Sequence, residues 1–202
     1  MTTRAFDVGC AAAGLVVASP VLLVIALAVR LDSPGPVLFR QERVGRHGET
    51  FRIHKFRTMR TGAGGPAVSA EGDSRVTRVG AVLRRTKLDE LPQLVDVLTG
   101  RMSMVGPRPE VPQYVELWGP EARSVILSVR PGITDPASVA FRDEAAQLAA
   151  VADPETHYVE TLLPQKVALY LDYVRSRTFT GDLAVLARTL GVVIAPRSSA
   201  GV

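Results

Sequence analysis

The run VGCAAAGLVVASPVLLVIALAV, residues 8–29, carries no charge. How it meets a membrane decides the fold. Its 22 residues reach roughly 33 Å as a helix, about one hydrocarbon thickness. Pro20 stands near its middle, where it removes a backbone donor and clashes with the Val16 carbonyl, so a bend is expected there. The Ser19 hydroxyl can bond a carbonyl freed in the preceding turn. Both flanks are basic, with Arg4 on one side and Arg30, Arg40, Arg43 and Arg46 on the other. Positive flanks favour the cytoplasmic face. A helix that bends at Ser19-Pro20 and returns satisfies both flanks, whereas a straight span satisfies one. From the residues alone both forms stand. A cleaved signal peptide fits poorly, because the run is long for one and no small-residue cleavage site follows.

The remainder of the 202 residues suits one domain of ordinary size. Residues 1–110 carry 16 Lys/Arg against 10 Asp/Glu, and residues 111–202 carry 8 against 10. The basic excess therefore lies with the apolar run and points to anionic partners: phosphates, acidic lipid or nucleic acid. Cys10, the single cysteine, excludes an intramolecular disulfide and a thiolate metal cluster. His47, His54 and His157 lack metal-ligand spacing, and no P-loop, dinucleotide-binding glycine fingerprint or zincin helix is present.

Outward from the apolar run, residues 36–41 and 50–56 read as strands of a hairpin joined through VGRHG, residues 44–48. Arginines and lysines around it, among them Arg40, Arg52, Lys55 and Arg57, suit anionic headgroups or an ordinary solvated face. Residues 61–74, TGAGGPAVSAEGDS, read as a loop. In TKLDELPQL, residues 86–94, and the residues that follow, Leu88, Leu91, Leu94, Val95 and Leu98 recur at helical spacing. Pro92 confines the helix start to about Leu88 or Asp89, and Gly100 can end it. Segments 111–117 and 121–129 read as helical and RPGIT, residues 130–134, as a turn. A long amphipathic stretch follows at 157–177 with Pro164 as a break or restart. A weakly charged helix over 182–194 suits either the core or the membrane interface.

Asp89 and Glu90 can be first-turn acids favoured by the helix dipole. Arg84, Arg85, Lys87, Arg101 and Arg108 lie close in sequence and outnumber them, which leaves capacity for an incoming anion. Pro107-Arg108-Pro109 fixes two φ angles around one guanidinium. Phosphoryl transfer needs both signs: a carboxylate nucleophile, a divalent metal and arginines for the transferring group.

These residues resemble the bacterial sugar transferases, or monotopic phosphoglycosyl transferases, of the small catalytic-domain-only type. The likeness runs from FDVGCAAAGLVVASP through SPGPVLFRQERVGRHGETFRIHKFRTM and DSRVTRVGAVLRRTKLDELPQLVDVLTGRMSMVGPRP to VRPGIT. It implies an α/β fold, mainly helical, with a small β-hairpin or sheet and interfacial amphipathic helices. A re-entrant membrane helix over 1–30, broken at Ser19-Pro20, would precede a catalytic domain over 31–202 on the cytoplasmic face of the bacterial inner membrane. The implied reaction moves a sugar 1-phosphate from a UDP-sugar to a polyprenyl phosphate of undecaprenyl type. It gives polyprenyl diphosphate sugar and UMP, an opening step of surface glycan assembly. Asp89 would be the nucleophile that forms a covalent phosphosugar enzyme. Glu90 would share Mg²⁺ binding or proton handling with it. Arg84 would hold phosphate, and Pro107, Arg108 and Pro109 would lie near the nucleotide. The implied partners are UDP-sugar, polyprenyl phosphate and membrane lipid, without nucleic acid. Residues 135–144, DPASVAFRDE, depart from the family pattern, and Arg142 stands as the replacement for its motif arginine. A membrane-tethered anion-binding module without catalysis is the alternative reading.

Overall fold

The computed structural model describes residues 2–62, 64–65 and 68–194. Helix α1 (Thr2–Asp32) contains the whole apolar run and stays helical through Pro20. Pro20 has no N–H for the Val16 carbonyl, and Ser19 Oγ donates to that carbonyl at 2.8 Å instead. The pair therefore satisfies the backbone without ending the helix.

One face of α1 is docked along both halves. Ala11 packs with Leu94, Val97 and Met102, while Ile25 and Val29 pack with Phe56 and Leu83. The start of α1 is further tied by Arg4, which donates to the carbonyls of Val97 and Leu98. Asp7 there accepts from the Met104 N–H. The opposite face is bare and apolar: Val16, Val17, Leu23, Val24, Leu27 and Leu31 are 61–77% exposed. By length and composition α1 can cross a membrane, and an apolar surface of that size marks a site of contact with lipid or protein.

The expected hairpin forms as two short antiparallel ladders. Strands β1 (Leu38–Phe39) and β4 (Lys55–Phe56) pair outside β2 (Glu42–Val44) and β3 (Thr50–Arg52). The turn between β2 and β3 puts His47 and Gly48 at φ 60 and 82, left-handed geometry that Gly48 tolerates without strain.

Helix α2 (Arg78–Thr86) is capped by the Thr77 side chain, which accepts from Gly80 N–H. Lys87, at φ 58, turns the chain into a 3-10 helix, Leu88–Gln93, followed by α3 (Leu94–Leu98). The helix expected from Leu88 is thus 3-10 in its first part. Pro92 cannot supply the N–H an α-turn would need, and Lys87 already closes α2. Strand β5 (Ser103–Val105) leads to α4 (Pro112–Val115) and α5 (Pro120–Ile126). RPGIT is corrected from turn to strand: β6 (Gly132–Thr134) lies parallel to β5. A Cβ on Gly132 would run into the Gly106 backbone, so only glycine permits this approach.

Beyond it come α6 (Pro136–Ala140), α7 (Glu144–Ala149) and α8 (Pro154–His157). A π-turn, Tyr158–Leu162, then leads into α9 (Leu163–Ser176), and α10 (Phe179–Ile194) closes the described chain. The π-turn relaxes the hydrogen-bond ladder just before Pro164, which stands in the first turn of α9 as the expected restart. The largest core joins Tyr114, Trp118, Ile126, Leu148, Leu162 and Tyr170. Leu183 and Leu190 on α10 are exposed, and Phe179 meets Phe6 edge-on at 5.3 Å between centroids, fastening α10 to the start of α1.

Candidate active site

Three segments distant in sequence converge on the carboxylate pair. The 3-10 turn buries Asp89 and Glu90, at 4% and 9% exposure. Strand β4 sends Lys55 across to both: Nζ lies 3.1 Å from Asp89 Oδ2 and 2.9 Å from Glu90 Oε1. The loop after β5 brings Arg108, whose guanidinium donates to the same Glu90 Oε1 at 2.6 Å. That loop is fastened to β6: Gly106 N–H donates to the Thr134 carbonyl and Gly132 N–H to the Pro107 carbonyl. Pro107 and Pro109 are buried and Arg108 is half-buried, so the prolines pin the loop and the guanidinium is presented.

The two acids are not equivalent. Burial works against the Glu90 charge, but Arg108 and Lys55 hold its carboxyl well below the usual carboxylate range. Glu90 is a fixed anion whose Oε1 serves two cations. Asp89 gives Oδ2 to Lys55, and its Oδ1 is buried with no hydrogen-bond partner among the described residues. A buried carboxylate oxygen without a donor is costly unless a ligand completes it.

Arg84, on α2, lies near enough to Asp89 for their charges to interact. Gly80 lies so close to the Thr58 backbone that a Cβ there would collide. This seats α2 against the chain after β4 and lets Arg84 Nε donate to Thr58 Oγ1 at 2.9 Å. A second nitrogen donates to Ser69 Oγ at 2.6 Å. Both partners are neutral hydroxyls. Burial acts against the Arg84 charge, while Asp89 and Asp73 act for it. Among the described residues no carboxylate in contact neutralises the Arg84 charge, as an anion site requires.

The residues fit a divalent hard cation of the Mg²⁺ type. Among the described residues no group of three or more His, Cys, Asp or Glu could hold a metal. Mg²⁺ commonly takes one or two carboxylates and completes its shell with water and substrate phosphate. The adjacent carboxylates of Asp89 and Glu90 would offer oxygens of that kind.

Arg142 lies half-buried in the turn between α6 and α7 and contacts neither carboxylate. Behind Arg108 lies a buried polar cluster that the sequence reading missed. Tyr158 donates to Glu110 at 2.9 Å, Arg43 pairs with Glu110 at 3.6 Å, and Lys166 pairs with Glu144 at 2.8 Å. Asp135, fully buried, caps α6 by accepting from Ser138 N–H. Burial pushes its carboxyl up, against the Ser138 hydrogen bonds. The Asp-Pro-x-Ser order at 135–138 is a legible cap signal. The Tyr158 and Lys166 partnership has no local signal. Arg57, expected among headgroup-facing cations, is corrected: it is 3% exposed and donates to carbonyls at the end of α1.

The class this geometry defines is an anion-handling transfer site: a buried acid pair ringed by cations, on a chain whose first helix can enter a membrane. The chain belongs to the bacterial sugar transferase family, whose model matches residues 1–196. It is 41% identical over 192 residues to the UDP-glucose:undecaprenyl-phosphate glucose-1-phosphate transferase of Caulobacter vibrioides, covering 93% of this chain and 67% of that one. It is 39% identical over 192 residues to the protein of the same name from Escherichia coli, covering 93% and 39%. It is 43% identical over 140 residues to a UDP-N-acetylgalactosamine-undecaprenyl-phosphate N-acetylgalactosaminephosphotransferase of Aeromonas hydrophila, covering 67% and 33%. The chain thus spans about two thirds of the first relative and well under half of the other two.

Proposed function

We propose that this chain transfers a sugar 1-phosphate from a UDP-sugar to a polyprenyl phosphate, through a phosphosugar carried on Asp89. The observation that carries the reading is the unpartnered Asp89 Oδ1, buried beside cations. The names of the relatives support the substrate classes. They differ in the sugar, so none is assigned here.

Asp89 Oδ1 attacks the sugar-bearing phosphorus, and the bond to the bridging oxygen breaks. UMP leaves with that oxygen. Lys55 holds Oδ2, which aims Oδ1 and limits repulsion between carboxylate and phosphate. Arg84 exchanges a hydroxyl for a phosphate oxygen and offsets charge on the transferring group. A phosphate oxygen of the polyprenyl acceptor then attacks the same phosphorus and breaks the acyl-phosphate bond. Polyprenyl diphosphate sugar forms and Asp89 is regenerated. Mg²⁺, held by Asp89 and Glu90, would neutralise phosphate charge. Glu90 keeps Lys55 and Arg108 in place throughout.

The same reading puts α1 in the inner membrane as a re-entrant element with the domain on the cytoplasmic face. Both ends of α1 contact one domain, which a helix crossing the bilayer would allow at one end only. The test is UMP release from a UDP-sugar panel with undecaprenyl phosphate and magnesium, using protein in nanodiscs. Release by wild type and not by Asp89→Asn is expected. Equal release by both would remove Asp89 from its role.

A further inference from the structure

A groove of about 620 Å³ opens where α1 ends, lined by residues 36–40 with Arg57 and Thr61. Its size falls in the range of small-molecule sites. Its walls are mostly apolar, and Phe39 remains 46% exposed on them. Leu27 and Leu31, on the last turns of α1 before it, are exposed as well.

Two further observations give the groove a charge and a direction. Among the described residues the buried Arg57 guanidinium donates to the carbonyls of Pro34, Val29 and Ser33, with Nε unpartnered. No carboxylate lies within ion-pair distance of it among the described residues, so its positive charge is uncompensated at the groove wall. Arg40, exposed, adds a second cation at the rim. The register of β1 with β4 sets Phe39 opposite Lys55. Directly opposed residues of an antiparallel pair share a face, so Phe39 flanks the lysine that reaches Asp89.

We propose that this groove receives the polyprenyl phosphate acceptor, with its first isoprene units against Phe39 and its phosphate drawn by Arg40 and Arg57 toward Lys55. This rests on the reaction proposed above and adds where its lipid substrate binds. A lipid that arrives along α1 meets apolar wall, then cation, then the acid pair, in the order its own tail and head require.

The test uses the full chain in nanodiscs, with undecaprenyl phosphate as the varied acceptor. Phe39 and Arg40 are exposed, so Phe39→Glu and Arg40→Glu leave the core untouched. Each is expected to raise the acceptor KM about tenfold or more. The UDP-sugar KM and the exchange of UMP with UDP-sugar, which needs no acceptor, keep their wild-type values. Phe39→Leu restores the acceptor KM. An unchanged acceptor KM, or equal rises in both KM values, overturns the proposal. Weaker vesicle binding with an unchanged acceptor KM assigns the groove to bulk lipid and overturns it as well. A wild type that releases no UMP overturns the reaction itself, and no variant is needed to see it.

Discussion

Lys55 Nζ lies 3.1 Å from Asp89 Oδ2, a contact that joins an edge strand of a hairpin to the acid pair 34 positions later. Lys55→Met should lower kcat by about 10²–10³-fold, the usual loss for one electrostatic contact in a transfer site. Lys55→Arg should recover part of it. Intact-mass kinetics of the proposed phosphosugar loading on Asp89, without acceptor, separate positioning from a general loss of structure. Equal loading rates for Lys55→Met and wild type would refute the assignment.

Glu90 gives a pH-dependent prediction. Its native carboxyl is held well below the usual range, so its ion pairs stabilise the fold above the unfolded carboxylate pKa. That contribution is lost as pH falls through the depressed native value. Wild type should exceed Glu90→Gln in stability most at neutral pH, with the gap closing below about pH 4.5. Acid titration followed by circular dichroism in micelles measures it. A gap independent of pH would contradict the charge assignment.

How much of this was legible beforehand follows from sequence separation. Asp89, Glu90, Arg84 and Arg108 lie within 25 positions of one another, and their opposite signs could be read directly. Lys55 could not be paired with them, because the same alternation fits a strand facing headgroups. Arg57 misled for the same reason: a basic residue beside a hairpin looks solvated until the end of α1 supplies carbonyls for it. The strand at Gly132 was hidden because its Pro-Gly reads as a turn, and only close approach to Gly106 reveals the pairing.

That approach makes a sharp stability prediction. Gly132→Ala puts a methyl into the Gly106 backbone, which should destabilise the protein by about 3 kcal/mol or more. It should also displace Arg108, whose loop hangs from Gly132. Thermal unfolding and UMP release, measured together, should fall together. A stable Gly132→Ala would refute the packing.

Ser19→Ala leaves the Val16 carbonyl without its donor and should cost about 1 kcal/mol. Pro20→Ala restores an N–H at the same place and should shift α1 toward a span of the bilayer. Cysteines introduced at Thr3 and Asp32 report the outcome by labelling from the cytoplasmic side. Both should label in the wild-type background, and Pro20→Ala should reduce labelling at one end. Labelling at only one end in the wild-type background would mean that α1 crosses the bilayer.

Arg4 binds the carbonyls of Val97 and Leu98, which lie 93 and 94 positions downstream. Synthesis runs from the amino end at about 5–20 residues per second. The first helix, complete at Asp32, therefore exists for about 3–14 s before the surface around Val97 to Met104 that covers its docked face has been made. During that interval it is a naked apolar rod on a nascent chain, and the bilayer interface is the solvent that suits it. That timing favours insertion ahead of folding, with the domain assembling onto a helix already at the membrane.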